Sequence, residues 1–332
     1  LTHANLLANL RDLLGAFTIY ESDRLLGFLP PFHSFGITIC MLLPLLAGVR
    51  VVYHADPTEA GTLARLTEAY RASIVVGTPT FLSSILRAST QRQLDSLRLV
   101  VTGAEKCPQR TYDALAERCP AARILEGYGV TECSPVISAN REDDIRPGTV
   151  GRPLPSYEHV LLNVDSGQPA AVDAPGMLLV RGPSVFNGYL GDTPSPFVEH
   201  AGRRWYRTGD LLSADADGVL TFRGRLKRFV KLGGEMVSLP AIESALEQQL
   251  AVESADGPVL AVEATPGEEH PEIVLSTTLG IAPRAANRHV REAGLSPLHN
   301  VARVVRLEEI PTLGTGKTDY RALRRMLEEE GA

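Results

Sequence analysis

Ten residues from Glu126 to Pro135, Glu-Gly-Tyr-Gly-Val-Thr-Glu-Cys-Ser-Pro, hold two glycines, an aromatic ring, a threonine hydroxyl and two carboxylates. Gly127 and Gly129 let a backbone pass close to a ligand, and Tyr128 offers a flat face to a base. Thr131 supplies a hydroxyl for a phosphate, and Glu132 a carboxylate for Mg²⁺, a hard cation that takes oxygen ligands. Read by itself, the stretch is equally a glycine-rich turn with an exposed glutamate, because short motifs recur by chance. Trp205-Tyr-Arg-Thr-Gly-Asp210 sets a carboxylate directly after a tight glycine turn. Such a carboxylate can accept two hydrogen bonds from a ribose diol, although in isolation a surface turn explains it as well.

Three further stretches have the right residue types. Arg223-Gly-Arg-Leu-Lys-Arg-Phe-Val-Lys231 puts five cations into nine residues and runs on into Gly233-Gly234; a solvated linker is its plain reading, a nucleotide facing Arg225 the functional one. Pro311-Thr-Leu-Gly-Thr-Gly-Lys317 lacks the glycine spacing of a phosphate-binding Walker loop, since Pro311 stands where its first glycine belongs. Its terminal ammonium can still swing over developing negative charge. His33 lies in the apolar run Leu29-Pro-Pro-Phe-His33, where a hydrogen-bonded core histidine is the default. Only four of the 33 basic residues are lysines, Lys106, Lys227, Lys231 and Lys317. A planar guanidinium cannot replace a compact ammonium where geometry matters, so each is a position to watch.

These groups need rigid elements to hold them. From Leu1 to about Ser138, apolar runs of strand length (Val49–Tyr53, Ile74–Gly77, Leu97–Thr102, Ala122–Leu125) alternate with helical stretches such as Thr62–Arg71. That alternation predicts a mostly parallel sheet covered on both faces, with ligands at the carboxyl ends of its strands. From about 139 to 225, short strands and frequent Gly/Pro turns predict a β-rich layer, including Met177–Arg181 and Val219–Phe222 after an Asp217-Gly218 turn. Residues 226–332 read as a small α+β domain: a helix over Pro240–Leu250, strands at Val259–Ala264, Ile273–Leu279 and Val301–Leu307, a helix at Ala285–Ala293 and a closing helix from Asp319. The expected division is therefore 1–225 (1–138 α/β, 139–225 β-rich) and 226–332.

The totals exclude other classes. At 332 residues, 44% hydrophobic and 22% charged, the chain is of ordinary globular composition. A net charge of −6 argues against a nucleic-acid binder. The four cysteines form no CxxC pair, which fits a reduced, cytoplasmic compartment. Leu25 to Val49 carries no Asp, Glu, Lys or Arg, but three prolines and His33 interrupt it, so it reads as buried core rather than a membrane span.

Taken in order, Phe32-His-x-x-Gly36, Gly127-Tyr-Gly-x-Thr-Glu132, Tyr206-Arg-Thr-Gly-Asp210, Gly224-Arg-x-Lys227 with Gly233-Gly-Glu235, and Pro311 to Gly316-Lys317 resemble the adenylate-forming superfamily of acyl-CoA synthetases, adenylation domains and luciferases. Gly103-Ala-Glu-Lys106, Glu126–Pro135 and Lys227–Leu239 more narrowly resemble the acyl-[acyl-carrier-protein] synthetase portion of bifunctional 2-acylglycerophosphoethanolamine acyltransferases. The resemblance implies a large α/β domain followed by a mobile lid, with ATP and Mg²⁺ as cofactors. Thr131 would touch the ATP phosphates and Glu132 hold Mg²⁺; Glu126–Gly129 and Gly103, Ala104 and Glu105 would frame the nucleotide, with Tyr128 and 103–105 bracketing adenine. Asp210 and Arg225 would hold the ribose. Lys227 would be the hinge, Gly233 and Gly234 would line a thiol channel, Lys317 would bridge the substrate carboxylate and the α-phosphate, and His33 would sit at the acyl pocket.

The implied reaction activates a fatty acid as its adenylate, then transfers it to the phosphopantetheine thiol of an acyl carrier protein, for which Arg203, Arg204 and Arg228 offer cations. The alternatives are a CoA or aryl/amino-acid ligase, and an inactive nucleotide-binding scaffold. Members of the superfamily carry a Ser/Thr/Gly-rich phosphate loop just upstream of a stretch like Leu1-Thr-His-Ala-Asn-Leu6. The sequence therefore reads as a fragment beginning after that loop. Its parent is expected in the cytoplasm or on the cytoplasmic face of the inner membrane.

Overall fold

The computed structural model describes residues 1–90, 92–192, 194–232, 235–250, 258–265, 271–313 and 317–330. The chain divides into two compact units, Leu1–Arg223 and Gly224–Ala332.

In the first unit, α1 (His3–Ala16) opens on a capping box between Thr2 and Asn5. β1 (Arg24–Gly27), α2 (Leu43–Ala47), β2 (Arg50–Tyr53), α3 (Ala60–Tyr70), β3 (Ile74–Gly77), α4 (Pro79–Ala88), β4 (Leu99–Thr102), α5 (Gln109–Arg118) and β5 (Arg123–Gly129) follow in strict alternation. The strands lie parallel in the order β2-β1-β3-β4-β5, and β6 (Val136–Ala139) and β7 (Arg152–Pro153) extend the sheet antiparallel. β3 is buried at every position, as a strand covered on both faces must be.

Two local expectations change. β5 does not stop at Leu125 but runs through Glu126-Gly-Tyr-Gly129, because β6 pairs with its second half. The glycines there serve their own hairpin: a Cβ on Gly129 would lie 2.1 Å from the Pro135 carbonyl oxygen. The Leu25–Val49 run is also only partly core. Leu25, Leu26, Phe28, Leu29, Ile39 and Cys40 are buried, whereas Met41, Leu45 and Leu46 are exposed, since a helix laid on a sheet buries a single stripe.

The β-rich layer comprises β8 (Glu158–Leu162), β9 (Gly176–Arg181), β10 (Phe197–His200), β11 (Arg203–Ala214) and β12 (Leu220–Arg225). The first four are ordered β10-β11-β9-β8, with β12 on β11. Leu178, Val180, Leu212 and Leu220 join the same apolar core as Leu26, Val100 and Leu125, so the two sheets share one interior. The predicted turn before Asp210 is instead a bulge inside β11: the register to β9 shifts between Arg207 and Leu211, and Gly209 takes φ +79°. A bulge re-aims the side chain that follows it.

At the amino ends of the parallel strands, buried Asp23 accepts from Arg98 Nε (2.8 Å), Ser73 Oγ (2.7 Å) and the Tyr20 amide (2.8 Å). Burial alone would push this carboxyl up; those hydrogen bonds and the Arg98 charge outweigh it and hold it below the usual carboxylate range. Removing one partner of a buried ion pair is expected to cost roughly 3 kcal/mol, so Asp23→Ala should lower the unfolding free energy by about that much. With a depressed folded pKa, the contribution is complete above the unfolded value of about 3.9 and is lost as pH falls through the folded one. Denaturant titrations of wild type and variant should therefore differ fully at pH 7, and the gap should begin to narrow only as pH falls below about 4.

The second unit holds the hairpin β13 (Phe229–Leu232) and β14 (Glu235–Ser238), then α6 (Leu239–Gln249), β15 (Leu260–Ala264), β16 (Ile273–Thr277), α7 (Pro283–Glu292), β17 (Arg303–Arg306) and α8 (Tyr320–Glu330). β15-β16-β17 form a mixed sheet. α6 and α7 pack on it through Ile242, Leu246, Ala286 and Val290.

Candidate functional site

The strand order β2-β1-β3-β4-β5 reverses direction between β1 and β3, and crevices in open α/β sheets form outside the carboxyl ends at such a reversal. The loops leaving these ends meet there. Ser34, on the loop after β1, shares a 3.0 Å hydrogen bond with the hydroxyl of Thr131, which is exposed just past β5. A Cβ on Gly103 would lie 3.1 Å from Gly127 O and 3.6 Å from the Phe35 ring. The Gly103 amide donates to Gly77 O, and Thr80 Oγ1 donates to Glu105 at 2.9 Å. Ala104, exposed beside them, has φ +67°.

Tyr128 and Asp210, 82 residues apart, meet directly. The tyrosine hydroxyl donates to Asp210 Oδ2 at 2.6 Å, and both residues are buried. Burial and the nearby carboxylate push the Tyr128 hydroxyl well above its usual range, so it keeps its proton and stays a donor. Its ring packs 5.7 Å from that of Phe222. The sequence suggested the two residues separately, one for a base and one for a ribose; the β11 bulge is what brings them together.

Glu132 is half-buried and accepts from the Tyr189 hydroxyl at 2.6 Å through Oε1, while its backbone carbonyl accepts from the Phe186 amide. Burial, then Glu132 itself, raises the Tyr189 pKa and keeps that donor protonated. Glu126 is buried: it accepts from the Gly148 amide at 2.8 Å, and burial pushes its carboxyl up despite that bond and the Lys106 charge. It thus anchors the loop between β6 and β7. His33 is partly buried, and its Nδ1 accepts the Phe35 amide at 3.2 Å. Sequence reading missed Ser34, Thr80 and Tyr189. Only Ser34, next to the flagged histidine, carried any signal.

In the second unit Arg225 and Lys227 are exposed, at the end of β12 and in a single 3₁₀ turn over Leu226–Arg228. Lys317 is partly exposed, and its carbonyl accepts the Leu313 amide at 2.7 Å in a loop closed below by Asp319 N to Pro311 O, also 2.7 Å. Gly233 and Gly234 lie outside the described residues. Arg228 corrects the picture of a solvated basic linker and of a docking cation: it is only 9% exposed and ion-paired with Glu243 and Glu263. A guanidinium whose donors face buried carboxylates has no charge to offer a partner. Arg203 pairs with Glu158, and Arg204 stacks 3.7 Å over the Phe197 ring. All four cysteines are buried free thiols. No helix among the described residues is long and apolar enough to cross a membrane.

The chain is similar to the long-chain-fatty-acid–CoA ligase of Escherichia coli O157:H7, 32% identical over 262 residues, 76% of this chain and 46% of that protein. The Yersinia pestis long-chain-fatty-acid–CoA ligase matches at 29% over 98% of this chain and 58% of its own length. The chain thus spans about half the length of these relatives. Among solved structures, an ATP-bound RpMatB-BxBclM chimera superposes with a TM-score of 0.85 at 25% identity, over all of this chain and 65% of the other. Residues 1–190, which include the β1 loop, the end of β4 and the β5 motif, match the family model described as AMP-binding enzyme. By that match and the shared architecture, the chain belongs to the AMP-binding enzyme family.

Proposed function

We propose that this chain is the nucleotide-handling part of an enzyme that uses ATP to convert a fatty acid to its acyl-adenylate and then passes the acyl group to a pantetheine thiol. The observation that carries the reading is the buried Tyr128–Asp210 pair, adjoining in sequence the strand end that presents Thr131 and Glu132. A proton-holding hydroxyl fixes the carboxylate that would accept from a ribose diol, and Thr131 offers a hydroxyl to the phosphates. Gly103, Ala104 and Glu105 would line the adenine, with Arg225 as a second ribose contact.

Magnesium fits the donor set. Among the described residues no cluster of three or more His, Cys, Asp or Glu could cage a metal. Mg²⁺, however, is usually bound by one or two carboxylates plus substrate phosphates, and Glu132 supplies one such carboxylate. When bound, the ion would neutralise charge building up on the phosphates. Lys317 would add an ammonium at the α-phosphate during adenylation. The thiol step needs a different set of groups, for which rotation about Lys227 would exchange Lys317 for the Gly233-Gly234 loop. His33 would border the acyl pocket.

The acceptor is the finer question. Acyl carrier protein follows from the Lys227–Leu239 stretch, but Arg228 is withdrawn from that role by its burial. CoA is the acceptor in the names of both relatives. The full-length protein should be given a fatty acid and MgATP with either CoA or holo-acyl carrier protein, following AMP release and thioester mass. Acid-dependent AMP formation is expected, with a thioester on one acceptor. Nucleotide binding without acid-dependent turnover would replace this reading with the scaffold, and a thioester on CoA alone would retire the carrier protein.

A further inference from the structure

The second unit encloses Arg228, Glu243 and Glu263 at one point, with the exposed Arg324 at the rim. Arg228 donates to Glu243 Oε1 at 2.7 Å and to Val262 O at 2.7 Å, and it pairs with Glu263. Glu263 also takes Arg324 at 2.8 Å, and Glu243 accepts the Val262 amide at 2.7 Å. The guanidinium lies 3.6 Å over the Tyr320 ring, whose hydroxyl donates to Glu243 at 3.1 and 3.2 Å. Two arginines face two glutamates, so the charges balance.

Stability is a weak reason for such a cluster, because buried ion pairs replaced by packed apolar side chains are often neutral or stabilising. Geometry is the stronger one. The planar guanidinium fork and the ring beneath it admit a single arrangement. That arrangement joins two places of interest: Arg228 directly follows Lys227, and Tyr320 is the first residue of α8, three past Lys317. Between them Asp319 caps α8 by accepting the Arg321 and Ala322 amides, and its own amide closes the loop at Pro311 O.

We propose that Arg228, Glu243 and Tyr320 are positioning residues for Lys317, locking the base of its loop to the residue after the hinge so that the ammonium moves with the unit as a rigid lever. This rests on the ligase reading for its chemical consequence. Burial first, then Glu243, raises the Tyr320 hydroxyl pKa, so the donor persists across the working pH range.

Tyr320→Phe is the discriminating variant, since it keeps the ring under Arg228 and removes only the hydroxyl, with its bonds to Glu243 and Thr318. In the full-length protein it should lower acid-dependent pyrophosphate exchange by about tenfold or more, as small misplacements of a catalytic group do. Thioester formation from supplied acyl-adenylate should hold, the thermal midpoint should fall only by the few degrees that one lost buried hydrogen bond costs, and trypsin should cut after Lys317 faster. Glu243→Gln, which retains an acceptor for Tyr320, should restore part of the exchange relative to Glu243→Ala. Unchanged exchange with an unchanged tryptic rate, or both half-reactions falling together with a larger drop in the thermal midpoint, would overturn the proposal. The tryptic rate needs no turnover. If wild-type protein shows no exchange, the ligase reading fails on its own, and the cutting rate still decides whether the cluster holds Lys317.

Discussion

Lys317→Ala in the full-length protein is expected to cut acid-dependent pyrophosphate exchange by about 10²–10³-fold, the usual cost of deleting one group that stabilises developing negative charge. Thioester formation from supplied acyl-adenylate should stay close to wild type, because that step no longer builds charge where the ammonium would act. The backbone at this point is fixed: the Lys317 carbonyl accepts from the Leu313 amide, and the Asp319 amide donates to Pro311 O. Lys317→Arg should not rescue, since a planar fork cannot place one compact charge at the same point. It is also one of only four lysines in a chain that otherwise uses arginine. Exchange that survives the alanine substitution would remove Lys317 from the mechanism, and equal loss of both half-reactions would reassign it to folding.

Much of the architecture is legible in the sequence because its causes are local. Ile74–Gly77 is a continuous apolar run bounded by a Thr-Pro helix start, and it forms β3 over those same residues. Pro240, Ile242 and Leu246 mark α6 in the same way, by a first-turn proline and one apolar face. What stayed hidden depends on pairing between distant segments. Nothing near Leu125 announces that β6 will prolong β5 through two glycines, and nothing in Thr208-Gly-Asp210 separates a turn from a bulge. Both outcomes are decided by the partner strand. The same holds for Arg228: five cations in nine residues read as solvated until Glu243 and Glu263, 15 and 35 residues away, fold around one of them.

The pairing of Tyr128 with Asp210 sets up the other large effect. Two hydrogen bonds from a ribose diol to a carboxylate are worth about 1.5 kcal/mol or more each, so Asp210→Ala should weaken ATP binding by at least about 3 kcal/mol, roughly 150-fold. Asp210→Asn keeps one oxygen, which the Tyr128 hydroxyl will claim, and turns the other position into a donor that cannot accept from the ribose; it should lose nearly as much affinity while folding better than the alanine variant. Tyr128→Phe is the contrasting case. It leaves the carboxylate charged and in place of the hydroxyl puts nothing, so its cost should appear mainly in unfolding free energy, at about 1.5–3 kcal/mol for a buried hydrogen bond to a charged group. Calorimetric ATP titrations beside denaturant titrations of the three variants separate the roles. If Asp210 binds the ribose, affinity falls in both Asp210 variants and much less in Tyr128→Phe. If the pair only fastens β5 to β11, affinity tracks stability across all three, and the ribose assignment is wrong.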